Sequence, residues 1–140
     1  MNIIQNLLKD QIEYDYEKSL VYLCLRIILG IIFVYHGYNK LSNQQKLANW
    51  TNFICSQNLP SWLACFSAVL EVIIGFLLIV GMFTKMTCII GILFMITALY
   101  LAHRKDTSIP IYQILIISML IILGVSGPGK FRIPSIPSIL

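Results

Sequence analysis

Four residues could carry charge where charge is expensive. Arg26, His36 and Lys40 fall in the stretch LRIILGIIFVYHGYNKL, and Glu71 falls in AVLEVIIGFLL. Both stretches are otherwise apolar enough to lie in a bilayer. An ionised side chain at the bilayer centre costs at least about 2.5–3.5 kcal/mol on insertion scales, so such a residue faces the interior of a helix bundle and finds a partner there. Desolvation and a nearby cation pull the protonation of a buried acid in opposite directions. An acid beside an imidazole can therefore hold or pass a proton. The plainer role for the same groups is a polar fastener that fixes helix register, because interhelical hydrogen bonds join membrane helices.

Depth and side-chain direction select a partner for Glu71. Measured from the side of the N-terminus (side A), Arg26 lies roughly 9 Å in, Glu71 roughly 18 Å and His36 roughly 24 Å, at about 1.5 Å per residue. Helical side chains lean toward their own N-terminus, so Glu71 and His36, on antiparallel helices, converge, whereas Glu71 and Arg26 diverge. The expectation is a Glu71–His36 contact, direct or through water, with Arg26 reaching toward side A. Around the helix, Arg26, Gly30, Phe33, Gly37 and Lys40 form one stripe, with His36 off it by roughly a fifth of a turn. Ala64, Ser67, Glu71, Gly75 and Leu78 form a second stripe; Thr87, Gly91, Ala98 and Ala102 form a third. Small residues at helical spacing let membrane helices approach closely.

These residues must be positioned by membrane helices. The chain has 140 residues, 58% hydrophobic and only 11% charged. A soluble domain averages about 25% charged residues, so this chain cannot cover a water-facing surface in the ordinary way. Four apolar runs follow one another: Leu20–Gly37 with a tail to Leu41, Trp62–Phe83, Met86–Ala102 and Ile109–Val125. A span needs about 20 residues, and only helices or closed barrels satisfy the backbone in lipid. The runs are continuous rather than alternating, which makes them helices. The expected architecture is all-α: a polytopic membrane protein with an antiparallel bundle of four transmembrane helices.

The links between the runs fit that reading. Residues 42–61 form the longest polar stretch, with Trp50 and Trp62 as interfacial anchors. The short Met82–Lys85 link makes a hairpin of the second and third helices. HRKDTSIP is a polar link in which Pro110 suits a helix start, and GVSGPGK ends the fourth helix. Residues 1–19 carry apolar positions at Ile3, Ile4, Leu7 and Leu8, a pattern for a short amphipathic surface helix; a disordered segment is the alternative. The division is thus a surface segment at 1–19, a membrane domain at 20–130 and a tail at 131–140. The first run follows no basic n-region and precedes no small-residue cleavage site, so it reads as retained.

Other classes drop away. The net charge of +4 comes from basic residues scattered at the ends of apolar runs, where they anchor helices at headgroups, so no nucleic-acid partner is expected. None of Cys24, Cys55, Cys65 and Cys88 is in C-x-x-C spacing, and histidines and a glutamate on separate helices do not point to a metal site. Side A holds Lys9, Lys18, Lys85, Lys130 and Arg132, against Lys40, Lys46, Arg104 and Lys105 on side B. The positive-inside rule then favours both termini on the cytoplasmic or matrix side.

The ordered set of residues resembles the DoxX family of small four-helix membrane proteins. Arg26, Gly30, Phe33, His36, Gly37, Lys40 and Leu41 match its first helix, and Glu71, Gly75, Leu78, Gly81 and Thr84-Lys85 its second. Met95 and Ala98 fit the third, and Gly127-Pro128-Gly129-Lys130 the end of the fourth. The family's acid after the fourth helix is replaced here by FRIPSIPSIL, and the N-terminal segment is longer, which suits a docking element. The resemblance implies a bacterial or archaeal plasma membrane or an organelle inner membrane. Relatives of that type include a subunit of a thiosulfate:quinone oxidoreductase, partners of oxidative-stress proteins and assembly factors. The leading expectation is therefore an accessory or assembly subunit of a larger, redox-linked membrane complex, without catalytic activity of its own, with the bilayer and other membrane subunits as partners. The first alternative is a quinone-linked oxidoreductase subunit in which a Glu71–His36 pair handles protons, with quinone as its cofactor. The second is a small transporter.

Overall fold

The computed structural model describes residues 2–104, 111–127 and 129. Five helices follow in order: α1 (Asn2–Ser42), α2 (Gln44–Ser56), α3 (Trp62–Val80), α4 (Thr84–His103) and α5 (Ile111–Ser126). Three of them are long and apolar enough to cross a membrane: α1, α3 and α4. The fourth apolar helix, α5, has 16 residues, or about 24 Å, short of a hydrocarbon core of about 30 Å. Pro110, expected at its start, lies outside the described residues, as do residues 131–140. The protein is a polytopic membrane helical bundle.

The N-terminal segment is neither a separate surface helix nor disordered. It forms the first turns of α1, a helix of 41 residues and about 60 Å. The first glycine of α1 is Gly30 and it has no proline, so no residue before that point interrupts the backbone ladder. This arm carries Asp10, Glu13, Asp15 and Glu17, and Ile3, Ile4, Leu7, Leu8 and Ile12 along it are exposed. The first buried residue of α1 is Ser19.

Inside the bundle α1 packs chiefly on α3, and α4 on α5. Glycine sets the first of these contacts. A Cβ at Gly30 would stand 2.7 Å from the Gly75 carbonyl oxygen, and one at Gly37 would stand 2.6 Å from that of Ala68. Leu29, Phe33, Ile74, Leu78, Cys88, Met95, Ile116, Leu120 and Leu123 fill the core. The α3–α4 hairpin turns where expected, through Gly81 at φ 77° and Phe83 at φ 50°. Tyr35, Tyr38, Trp62 and Tyr100 are exposed toward the side-B end, where amphipathic rings favour the headgroup level.

The polar stretch at 42–61 contains a helix that its polarity concealed. Asn43 caps α2 by accepting hydrogen bonds from the Gln45 and Lys46 backbone N–H groups at 3.0 and 3.3 Å. Leu47, Trp50 and Ile54 give α2 an inward face, with Ile54 buried. This helix lies against α1 and α3 at the side-B end of the bundle.

Candidate functional site: a buried ion pair beside a roofed cavity

Glu71 is 4% exposed and faces α1. A Cβ at Gly37 would stand 3.0 Å from the Glu71 Cβ, so the acid passes directly over that glycine. Its partner is Lys40, three residues further along α1. Lys40 Nζ donates to Glu71 Oε1 at 2.7 Å. The direct form of the expected Glu71–His36 contact is absent among the described hydrogen bonds; His36 Nε2 lies 2.7 Å from the Tyr112 hydroxyl of α5. The physical reason is side-chain length. Lys40 sits one turn nearer side B than His36, but its four methylenes lean back toward the α1 N-terminus and deliver the ammonium to the depth of Glu71. His36, displaced around the helix, turns toward α5.

The ion pair belongs to a larger arrangement. Lys40 Nζ lies 4.2 Å from the centroid of the Trp50 ring, close enough for a cation–π contact. Trp50 Nε1 donates to Ser67 Oγ at 2.9 Å, and Ser67 Oγ donates to the Ala64 carbonyl at 2.9 Å. The amphipathic helix α2 thus holds an indole over the Lys40–Glu71 pair and pins it to α3. Trp50 is not only the interfacial anchor expected of it; the i, i+3, i+7 spacing of Leu47, Trp50 and Ile54 is the signal for its inward face.

A cavity of about 250 Å³ adjoins these groups, lined by polar side chains of His36, Lys40, Glu71, Tyr112 and Gln113 and by the rings of Phe33, Trp50 and Phe94. His36 and Glu71 therefore border one space without touching. Two buried acceptors at this cavity have no hydrogen-bond partner: Glu71 Oε2 and Gln113 Oε1. A second, apolar groove of about 310 Å³ runs between α3 and α4, lined by Leu63, Phe66, Leu70, Leu93 and Thr97 among others. Trp50, Phe94 and Ala98 border both spaces.

Arg26 is not part of this site. It is 2% exposed and lies at the far end of the α1–α3 contact. There a Cβ at Gly81 would stand 2.5 Å from the Arg26 Cζ. Gly81 is the C-cap of α3, so the guanidinium rests on a helix end, whose carbonyls carry partial negative charge. The expectation that Arg26 reaches toward side A describes its direction but not its burial. His103 and Arg104 are exposed at the end of α4. All four cysteines are free thiols, three of them exposed and Cys88 buried. Among the described residues no group of His, Cys, Asp and Glu could hold a metal ion.

A bundle of apolar helices with an ion pair enclosed at lipid depth defines an integral membrane protein with an internal polar site. The comparisons narrow the class. The family model described as DoxX matches residues 21–104, more than half of the chain, and the protein belongs to the DoxX family. A protein of Bacillus subtilis (strain 168) named "Putative oxidoreductase CatD" is 40% identical over 75 residues, 54% of this chain and 52% of that one. The chain thus spans about half the length of this curated relative. No solved structure matches the chain. The family match covers Arg26, His36, Lys40, Trp50 and Glu71; Tyr112 and Gln113 lie beyond it.

Proposed function

We propose that this protein is a membrane subunit of a redox-linked complex and that the cavity beneath Trp50 is where it handles protons beside a quinone-type carrier. One observation carries the reading. Glu71 gives one carboxylate oxygen to Lys40, while the other is buried and unpartnered beside a cavity that His36 and Tyr112 also line. A fastener has no use for a second, unsatisfied oxygen, whose burial costs about 1–3 kcal/mol; a proton acceptor needs that oxygen. Interconverting a quinol and a quinone moves protons and electrons in equal number. Glu71 and the His36–Tyr112 pair would take or return the protons, and a redox-active partner subunit would take or supply the electrons. The relative named as an oxidoreductase supports the redox setting.

A purely assembling role is the second reading, favoured by the exposed apolar positions on the arm of α1. Glu71→Gln separates the two, because it keeps the shape and removes the charge. Natively purified complex carrying Glu71→Gln is expected to retain its subunits and lose turnover. If the complex instead fails to assemble, and whatever forms turns over normally, the assembling role holds. Since Lys40 is an interior charge rather than a loop charge, the remaining loop charges favour side A, with both termini, as the cytoplasmic or matrix face.

A further inference from the structure

We propose that the segment after α5, residues 130–139, docks on the arm of α1. It lies along the face made by Ile4, Leu8, Ile12 and Asp15. Lys130 and Arg132 flank Asp15, and Ile133 and Ile136 cover the apolar positions beyond it. The proposal stands apart from the cavity and from the redox reading. It gives the face on which the assembling reading leans an occupant from the chain itself.

Four observations lead to it. The first is where the chain goes after α5. The Gly127 N–H donates to the Leu123 carbonyl at 2.9 Å and closes the helix. Gly127 and Gly129 are both left-handed, at φ 81° and 71°, and between them the chain turns onto α1. A Cβ at Gly129 would stand 3.5 Å from the Ser19 Cα and from the Ser19 carbonyl oxygen. Ser19 is the first buried residue of α1, so residue 130 starts at the foot of the arm.

The second is the direction of the apolar face. At about 100° per residue, Ile4, Leu8, Ile12, Asp15, Ser19 and Arg26 fall within about a quarter of a turn of one another. The face that α1 turns to the bundle therefore continues up the arm. Beyond Ser19 it is exposed at Asp15, Ile12, Leu8 and Ile4. The third is charge. The arm carries Asp10, Glu13, Asp15 and Glu17 against Lys9 and Lys18, and Lys18 Nζ is turned to the Tyr14 ring, 4.0 Å from its centroid. The segment KFRIPSIPSI at 130–139, outside the described residues, brings two cations and no acid.

The fourth is spacing. Pro134 and Pro137 fix their own φ and bias Ile133 and Ile136 toward extended backbone. A polyproline-II chain has three residues per turn, which would align Ile133, Ile136 and Ile139 on one side. At about 3.1 Å per residue, Ile133 comes about 12 Å and Ile136 about 22 Å after Gly129. Ile12 and Ile4 stand about 10 Å and about 22 Å from Ser19 along the arm. On the same count Lys130, at about 3 Å, and Arg132, at about 9 Å, bracket Asp15 at about 6 Å. Burial in the hydrocarbon is the poorer place for this segment, because its non-helical backbone would leave polar groups unmet there.

The test uses the full chain at one copy per phosphatidylcholine nanodisc. A photoreactive p-benzoylphenylalanine replaces Ile133 or Ile136, and mass spectrometry locates the adducts. Position 133 is expected to capture the arm around Leu8 and Ile12, and position 136 around Ile4, within one polypeptide. Leu8→Asp combined with Ile12→Asp changes only exposed positions and is expected to cut either yield about tenfold, with the circular dichroism spectrum unchanged. Asp15→Lys is expected to cut both about two- to fivefold. Adducts chiefly with lipid would overturn the inference and put the segment on the headgroups. Adducts with the arm only when two copies share a disc would overturn it in favour of a second copy. Yields indifferent to the arm substitutions would overturn it as well.

Discussion

Arg26 and Lys40 leave α1 on nearly the same face, about 21 Å apart along its axis, and both enter the contact with α3. Their surroundings differ. Arg26 meets the C-terminal end of α3 and has no free space around it: Gly81 is compelled to be glycine both by its φ of 77° and by a guanidinium 2.5 Å from where a Cβ would sit. Lys40 meets a carboxylate, uses one of its oxygens, and leaves the other beside a cavity roofed by Trp50. Two basic residues from one stripe thus have different parts. A cation packed against a helix end lies inside a closed contact between the two helices. A cation on a half-satisfied acid at a cavity leaves one carboxylate oxygen without a hydrogen bond. The comparison separates a closed polar contact from an open one by what surrounds each charge.

The largest test removes the spacing that both ends share. Gly75→Leu drives a side chain into the Gly30 backbone, since even a Cβ at Gly75 would stand 2.6 Å from the Gly30 oxygen. The expected result is loss of the monodisperse peak on size exclusion in detergent. Should the protein remain folded, neither end depends on that approach. Next comes Lys40→Met, which strands a buried carboxylate; about 3–5 kcal/mol of destabilisation is expected in an SDS titration followed by circular dichroism. Glu71→Gln is expected to cost less, about 1–2 kcal/mol, because the Lys40 side chain is 22% exposed and can turn toward the headgroups. The double variant should recover much of the Lys40→Met loss, and a cycle showing simple additivity would deny the coupling. At the closed end, Gly81→Ala imposes a left-handed conformation on a residue with a Cβ beside the Arg26 guanidinium and is expected to cost about 1–2 kcal/mol in the same titration; no loss of stability would mean that the closed end does not depend on that glycine. Tyr112→Phe has the smallest effect, about 0.6 kcal/mol, the average for a hydrogen bond between membrane helices, read in the same titration.

Much of this bundle was legible in the residues. The stripe Ala64, Ser67, Glu71, Gly75 and Leu78 is buried as its spacing implied, because in lipid a carboxylate and a run of small residues have only one favourable direction to face. On α1, Arg26, Gly30, Phe33 and Gly37 are buried and Lys40 is half-buried on the same stripe. That stripe already put Lys40 on the inward face. Depth at the Cα does not reveal the pairing, because a lysine side chain reaches about a helical turn along the axis. The polar stretch before α3 read as a link because its length and hydrophilicity fit one, although the Asn43 cap and the spacing of Leu47, Trp50 and Ile54 were there to be read.

The sequence by itself therefore determined that the chain spans a bilayer, which helix faces turn inward and that Glu71 needs company, since all three follow from the cost of polar groups in hydrocarbon. Only the tertiary structure decided who that company is. It put Tyr112 beside His36, 76 residues away, laid α2 across the side-B end, and left two buried acceptors, Glu71 Oε2 and Gln113 Oε1, without hydrogen-bond partners. Those outcomes depend on where whole helices cross and how far flexible side chains extend, and neither is encoded in the periodicity of any one segment.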